Sequence, residues 1–306
     1  MKLSIVSTLY HSAPYVQEFH ARASKAAKQL VGDEYEIILV NDGSPDNSLD
    51  LAVEVARQDH HTVIVDLSRN FGHHKAMMTG LSFARGEQVF LIDSDLEEEP
   101  EWLLSFTVMM QSKECDVVFG VQSERKGGVL ERVSGYLFYR LFRHLTGINQ
   151  PDNIVTARLM SRRYVEALVS HRERELNIGG LWITTGFKQI PTVVVKRSSS
   201  PTTYSFARKV NHFVTAVTSF SSKPLELIFY LGALISSAVL VFAMFLVYRY
   251  LFVAEPPSGY TSIITSIWLL SGLIILFLGI LGIYVSRVFS EVKQRPYTIV
   301  RNVYRF

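Results

Sequence analysis

One cysteine, Cys115, in 306 residues rules out an intrachain disulfide and fits a reducing compartment. Internal repeats and low-complexity tracts are missing too, which excludes repeat architectures. The opening, Met1 to Tyr10, is too short and too soon interrupted for a signal peptide. The net charge is only +3, and no stretch reads as a nucleic-acid surface. The histidines, His73 and His74 included, lack a third ligand at metal spacing. Charge itself is missing from two long runs, Leu227 to Tyr248 and Ile263 to Val285. Each run has about 22 apolar residues, the length a helix needs to cross a hydrocarbon core of about 30 Å.

Before those runs the chain alternates strands and helices, the pattern of an open, doubly wound, mostly parallel α/β sheet. Leu3 to Tyr10, Tyr35 to Val40 and Thr62 to Leu67 read as strands, with another before Asp93. Pro14 to Leu30 and His74 to Ala84 read as helices, and Asn41 to Ser48 as a turn with Ser44 or Asp46 available as a cap. Ligands of such sheets bind beyond the carboxyl ends of the strands. Asp42, Arg69 and Asp93 each stand just past one of those ends.

VFLIDSDLEEEP, Val89 to Pro100, is the most informative stretch. An apolar run ends in Asp93 and Asp95, and Glu97 follows at the same spacing. Alternate residues of an extended segment share a side, so these acids can converge on one hard cation such as Mg²⁺ or Mn²⁺. Alternatively they are acids drawn to the positive end of a helix dipole. Glu98, Glu99 and Glu101 read as solvated acids of a helix start, with Pro100 at its first position.

SIVSTLY, VNDGSPDNSL, LSRNFGHHKAMMTGL and DSDL, in this order, resemble the nucleotide-sugar-binding half of glycosyltransferase family 2. The likeness is to its membrane-attached polyisoprenyl-phosphate glycosyltransferases, of dolichol-phosphate-mannose synthase-like and bacterial glucosyl-transfer type. RLMSR (Arg158 to Arg162) and RVFSEVKQRP (Arg287 to Pro296) extend it over nearly the whole chain. The resemblance implies a GT-A-like fold in which Thr8, Tyr10 and Asp42 line the base and ribose, with Arg69 also on the donor side. It implies that Asp93 faces ribose and diphosphate while Asp95 binds the metal, assisted by Glu97 where the family often has Gln. Relatives carry P-x-Y-N-E where this chain has Thr8 to Ser12, and an Asp where it has Thr156. They also carry a Lys that is missing from the segment Arg197 to Tyr204.

Thr156 bears on the chemistry. A sugar hydroxyl acceptor needs a general base, whereas a phosphate monoester, with a second pKa of about 6, is already anionic at pH 7. Asp152 is either a substitute base or a solvated loop acid. Arg158 and Arg197, with Arg125 and Lys126 as weaker candidates, can orient an anionic acceptor because guanidinium matches phosphate bidentately; Arg158 can equally be a structural arginine pairing a strand-end carboxylate.

Residues 1–203 are expected to form the catalytic domain, 204–224 an amphipathic juxtamembrane helix, 225–286 a two-helix membrane hairpin and 287–306 a cytoplasmic tail. Tyr204 to Lys223 and Val129 to Ile148 carry apolar stripes beside Arg and Lys, the pattern of interfacial helices or, for the second, of a helix packed on the sheet. Lys223 before the first run and Arg287, Lys293, Arg295, Arg301 and Arg305 after the second outweigh the loop's Arg249 with its Glu255. By the positive-inside rule both termini and the catalytic domain are cytoplasmic, at a bacterial inner membrane. The expected activity is inverting, Mg²⁺- or Mn²⁺-dependent transfer from a nucleotide sugar to a polyprenyl phosphate. The rivals are transfer to a hydroxyl of a lipid-linked glycan or polysaccharide, and a non-catalytic nucleotide-sugar-binding partner of a flippase. Expected partners are the donor, the lipid acceptor and membrane lipids; self-association stays open, and no nucleic acid is expected.

Overall fold

The computed structural model describes all residues except 123–139, 142–143, 148–152, 174–175, 197–213, 215–216, 219–220 and 253–258. Elements follow the order β1 (Leu3–Leu9), α1 (Val16–Val31), β2 (Tyr35–Asn41), α2 (Ser48–Gln58), β3 (Thr62–Leu67), α3 (His73–Phe83), β4 (Gln88–Leu91) and α4 (Trp102–Lys113). Then come β5 (Val117–Gln122), β6 (Ile154–Ser161), α5 (Arg162–Val169), α6 (Ile178–Thr184), β7 (Gln189–Val194), α7 (Lys223–Phe252), α8 (Tyr260–Val292) and β8 (Val300–Tyr304). The chain divides into two compact units, one of residues 1–140, 148–205 and 294–306, the other of 141–147 and 206–293.

In the first unit the strands form a single sheet in the order β7-β5-β6-β4-β1-β2-β3-β8. β1 pairs in parallel with both β2 and β4, and β2 with β3. These strands are covered on both faces, which is why they read as nearly unbroken apolar runs. Helix α1 buries Val16, Phe19, Ala23, Ala26 and Ala27, a stripe at three- and four-residue steps, in the core with Ile5, Ile37 and Phe106. The expected parallel character holds for this half. β6, however, runs antiparallel to β4 and β5, and β8 antiparallel to β3, so the sheet is mixed. A strand not reached through a βαβ crossover is free to enter from the other rim. The final stretch expected as a tail therefore contributes an edge strand.

In the second unit, Ser266–Val292 is, among the described residues, the one helical stretch long and apolar enough by length and composition to cross a membrane. Helix α7, which contains the first apolar run, extends over 30 residues. Tyr284 donates its hydroxyl to the Ser221 carbonyl, and Lys223 Nζ to that of His144. Most of the two stretches expected to be amphipathic lies outside the described residues.

Candidate active site

The rim formed by the carboxyl ends of β1 to β4 gathers most of the expected donor-side residues. Asp42, just past β2, is buried, and its two carboxylate oxygens accept the amides of Phe71 and Gly72 at 2.7 and 3.0 Å. Burial raises its pKa, against those amides and the charges of His73 and Arg69. Asp42 thus shapes the loop between β3 and α3 with its own oxygens. Gly43 makes the same loop possible: its φ is 60°, and a Cβ there would stand 2.5 Å from the Arg69 carbonyl carbon. Arg69 is exposed, its guanidinium over the Phe71 ring. Tyr10 is half exposed and packs edge-on against His11.

Helix α3 opens with His73, to which the sequence assigns no metal-site role. It is a bridge: Nδ1 lies 3.0 Å from Thr8 Oγ1 and Nε2 lies 3.2 Å from Asp93 Oδ1. The second contact is an ion pair without hydrogen-bond alignment, so Asp93 Oδ1 is a buried oxygen with no well-directed donor. The β4–β6 register pairs Leu91 with Arg158; two residues further along, it brings Thr156 opposite Asp93. Burial drives the Asp93 carboxyl up, but His73, Thr156 and Lys196 outweigh it and hold its pKa below the ordinary value. His73 is shifted upward: burial opposes it, and Asp93 foremost, with Asp42 and Glu98, overcomes that.

Of the acids after Asp93, Glu101 does stand at a helix start, immediately before α4 and partly exposed, but Glu98 does not. Helix α4 begins only at Trp102, and Leu96 adopts a left-handed φ of 60°. Glu98 is fully buried, accepting the Thr156 amide at 3.0 Å and Lys196 Nζ at 2.9 Å. Glu101 is bound by Arg22 at 2.7 and 2.9 Å. Asp95 accepts the Glu97 amide at 3.0 Å, and Glu97 lies 3.9 Å from Lys196 Nζ. Burial first, then the charges of Asp93 and Glu97, raises the Asp95 pKa. Burial and Asp93 push Glu98 up to about 7, with Lys196 pulling the other way.

Lys196 is a cation that sequence reasoning missed; its only signal was that it immediately precedes Arg197. Arg197 and Asp152 lie outside the described residues, as do Arg125 and Lys126. Arg158 is described, and it turns inward. At 1% exposure it stacks over Trp182, and Nε donates to the Thr156 carbonyl at 3.3 Å. Burial lowers its pKa to about 9, against Tyr164 and Glu98. Its Nη2 is buried and finds no hydrogen-bond partner among the described residues.

The sequence also missed a group at the opposite rim. Ligand atoms of Asp59, His60 and His61, in the turn before β3, lie within 4.8 Å of one another. Asp59 is already engaged there by His20 at 2.9 Å and His61 at 2.8 Å. These histidines do find a carboxylate, but far along the strands from Asp93.

The mixed α/β sheet, with carboxylates at the ends of β2 and β4, is GT-A-like. The model of Glycosyl transferase family 2 matches residues 4–169. A Mycobacterium tuberculosis protein, provisionally named among the glycosyltransferases, is 50% identical over 304 residues, 99% of this chain and 89% of that protein. The SfII prophage-derived bactoprenol glucosyl transferase of Shigella flexneri is 29% identical over 308 residues, 100% of this chain and 99% of that protein. The mannosyltransferase PcManGT of Pyrobaculum calidifontis, solved with GDP-Man and Mn²⁺, shares the fold at a TM-score of 0.50 and 16% identity, covering 96% of this chain and 86% of that one. The chain belongs to glycosyl transferase family 2, and it is a glycosyltransferase.

Proposed function

We propose that this enzyme moves a hexosyl group, glucose in the first instance, from a nucleotide sugar to a polyprenyl phosphate, with inversion, at the cytoplasmic face of a bacterial inner membrane. The observation that carries this reading is the end-to-end match to a bactoprenol glucosyl transferase, which takes in the apolar second unit as well as the sheet. Thr8, Tyr10, Asp42, Arg69 and Asp93 form the donor side. In the transfer an acceptor phosphate oxygen bonds to the anomeric carbon as the bond from that carbon to the diphosphate breaks, and the nucleoside diphosphate leaves with the electron pair.

The residues fit a hard divalent cation. Asp93, Asp95, Glu97 and Glu98 offer only oxygen, Asp93 Oδ1 lacks an aligned donor, and repulsion from Asp93 and Glu97 helps to raise Asp95. Asp95, with Glu97, would hold Mg²⁺ or Mn²⁺, which when bound stabilises charge on the departing diphosphate. Because the acceptor arrives anionic, Thr156 suffices where relatives carry Asp, and Asp152 need not act as base. Lys196 offsets the acids from one side, and Arg197 remains a candidate for holding the acceptor.

Parity supports the membrane reading. Residues 206–293 leave the first unit and the chain returns to it at 294. If Ser266–Val292 crosses a bilayer, an even number of crossings is needed to bring β8 back to its sheet, and α7 is the helix available for the other. The proposed organisation is a catalytic unit on a two-helix hairpin, with 204–224 in the headgroup layer. The test is incubation of membranes bearing the full chain with radiolabelled UDP-glucose, GDP-mannose and other nucleotide sugars plus polyprenyl phosphate, followed by lipid extraction and mass analysis. The expected product is a polyprenyl-phosphate hexose; label confined to glycan hydroxyls would overturn the acceptor assignment.

A further inference from the structure

The strand that follows α8 reaches the donor side of the sheet. β8 pairs antiparallel with β3, with an irregularity between Asp66 and Leu67 where β3 ends. Asp66 is buried; Oδ1 accepts Asn41 Nδ2 at 2.8 Å, whereas Oδ2 accepts no hydrogen bond among the described residues and has Arg301 Nη1 at 3.6 Å. The same guanidinium donates from Nη2 to the Ser68 carbonyl at 2.6 Å, and the Ser68 amide donates to the Ile299 carbonyl at 2.9 Å. Ser68 is the residue from which the loop carrying Arg69 springs. In the second turn of α3, Thr79 Oγ1 meets Thr298 Oγ1 at 2.8 Å. The final segment therefore touches both ends of the stretch 68–79, whose middle is held by Asp42 and contains His73.

We propose that Arg301 is a positioning residue for the donor site: through the Ser68 carbonyl and the Asp66 carboxylate, the C-terminal strand fixes the loop presenting Arg69 and His73. The inference rests on the donor-site reading given above. Among the described residues Arg301 bonds to Ser68 and pairs with Asp66, away from the acids at Asp93 to Glu98, so its effect falls on donor capture. A charge-assisted bond at 2.6 Å is a strong one to lose, and a loop displaced by an ångström weakens everything it carries.

The test uses the full chain in lipid nanodiscs, with UDP and GDP titrated by calorimetry in the presence of Mn²⁺ and steady-state transfer measured beside it. Arg301→Met is expected to raise the donor KM about tenfold with kcat within about twofold, and Arg301→Lys to recover part of it. Leaving Asp66 uncompensated can also loosen the fold. The double variant Asp66→Asn/Arg301→Met removes that charge, and it is expected to regain wild-type melting while keeping the high KM. An unchanged KM in a folded Arg301→Met protein overturns the inference, as does a KM that recovers together with stability in the double variant. If wild-type protein binds neither nucleotide, the donor-site reading itself fails, an outcome distinct from both.

Discussion

Lys196→Met is the perturbation whose magnitude the structure fixes best. Glu98 is fully buried, and Lys196 at 2.9 Å is its counter-ion. Removing one partner of such a pair costs about 3–5 kcal/mol when the remaining charge stays ionised. Glu98 has an escape, because burial and the charge of Asp93 already raise its pKa to about 7 from 4.5. Without Lys196 it takes up a proton at neutral pH. Holding a carboxyl protonated at pH 7 against an unfolded value of 4.5 costs about 3 kcal/mol, but with a folded pKa of about 7 the wild type already bears most of that, so full protonation of Glu98 adds well under ~1 kcal/mol at pH 7 and about 1.4 kcal/mol at pH 8. For a domain of this size the loss at pH 8 corresponds to a fall of roughly 3 to 6 °C in Tm. The sign of the pH dependence follows. A carboxyl raised in the folded state is harmless below its unfolded value and progressively destabilising as pH rises through the folded one. The deficit of Lys196→Met should therefore be small at pH 5 and large at pH 8, and Lys196→Met/Glu98→Gln should recover most of it. Thermal unfolding of the purified full chain at pH 5, 7 and 8 measures this. A deficit equal at all three values, or a double variant no better than the single, would refute the reasoning.

Asp95→Ala should abolish sugar transfer while leaving the melting curve intact, and chelation should silence wild-type enzyme reversibly; full activity of the variant in excess chelator would sink the metal assignment. Thr156→Ala should slow transfer by well under the 10² to 10⁴ typical of losing a general base, and wild-type activity should fall as pH drops through about 6, where a phosphate monoester takes its second proton. A pH-independent rate across that range would point to a hydroxyl acceptor. Asp46 accepts from Ala13, Ser44 and Ser48 and has its pKa lowered to about 2 because those bonds outweigh burial. Its stabilisation is present above pH 3.8 and lost as pH falls through about 2, so Asp46→Ala should cost about 1–2 kcal/mol at pH 7 and converge with wild type near pH 2 in thermal melts.

The donor-side rim was legible because it depends on local pattern. Apolar runs that stop at Asp42, Arg69 and Asp93 mark the carboxyl ends of β2, β3 and β4, and parallel pairing of β1 with β2 and β4, and of β2 with β3, aligns those ends without further information. What crosses the sheet was not legible. His73 meets Thr8 and Asp93 only because α3 returns over strands 65 and 20 residues away in opposite directions along the chain. Glu98 looked like one more acid in a run of three, and composition favours solvated helix starts for such runs. The left-handed backbone at Leu96 instead turns it inward to a lysine far along the chain.

The C-terminal strand was hidden for a different physical reason. Val300 to Tyr304 reads as a strand only if a partner edge is known, because three of its five residues stay exposed and Arg301 interrupts it. A charged, half-exposed segment after an apolar helix looks like a cytoplasmic anchor tail, and the basic residues read from the sequence as setting orientation are the same ones that make the strand inconspicuous. Edge strands are kept charged and short so that they do not recruit other chains. The property that protects β8 from aggregation is therefore the one that disguised it. The open edge of β3 held the missing information: Asp66 is buried there with an oxygen that accepts no hydrogen bond among the described residues, a cost the fold meets only when a cation arrives from outside the βαβ pattern.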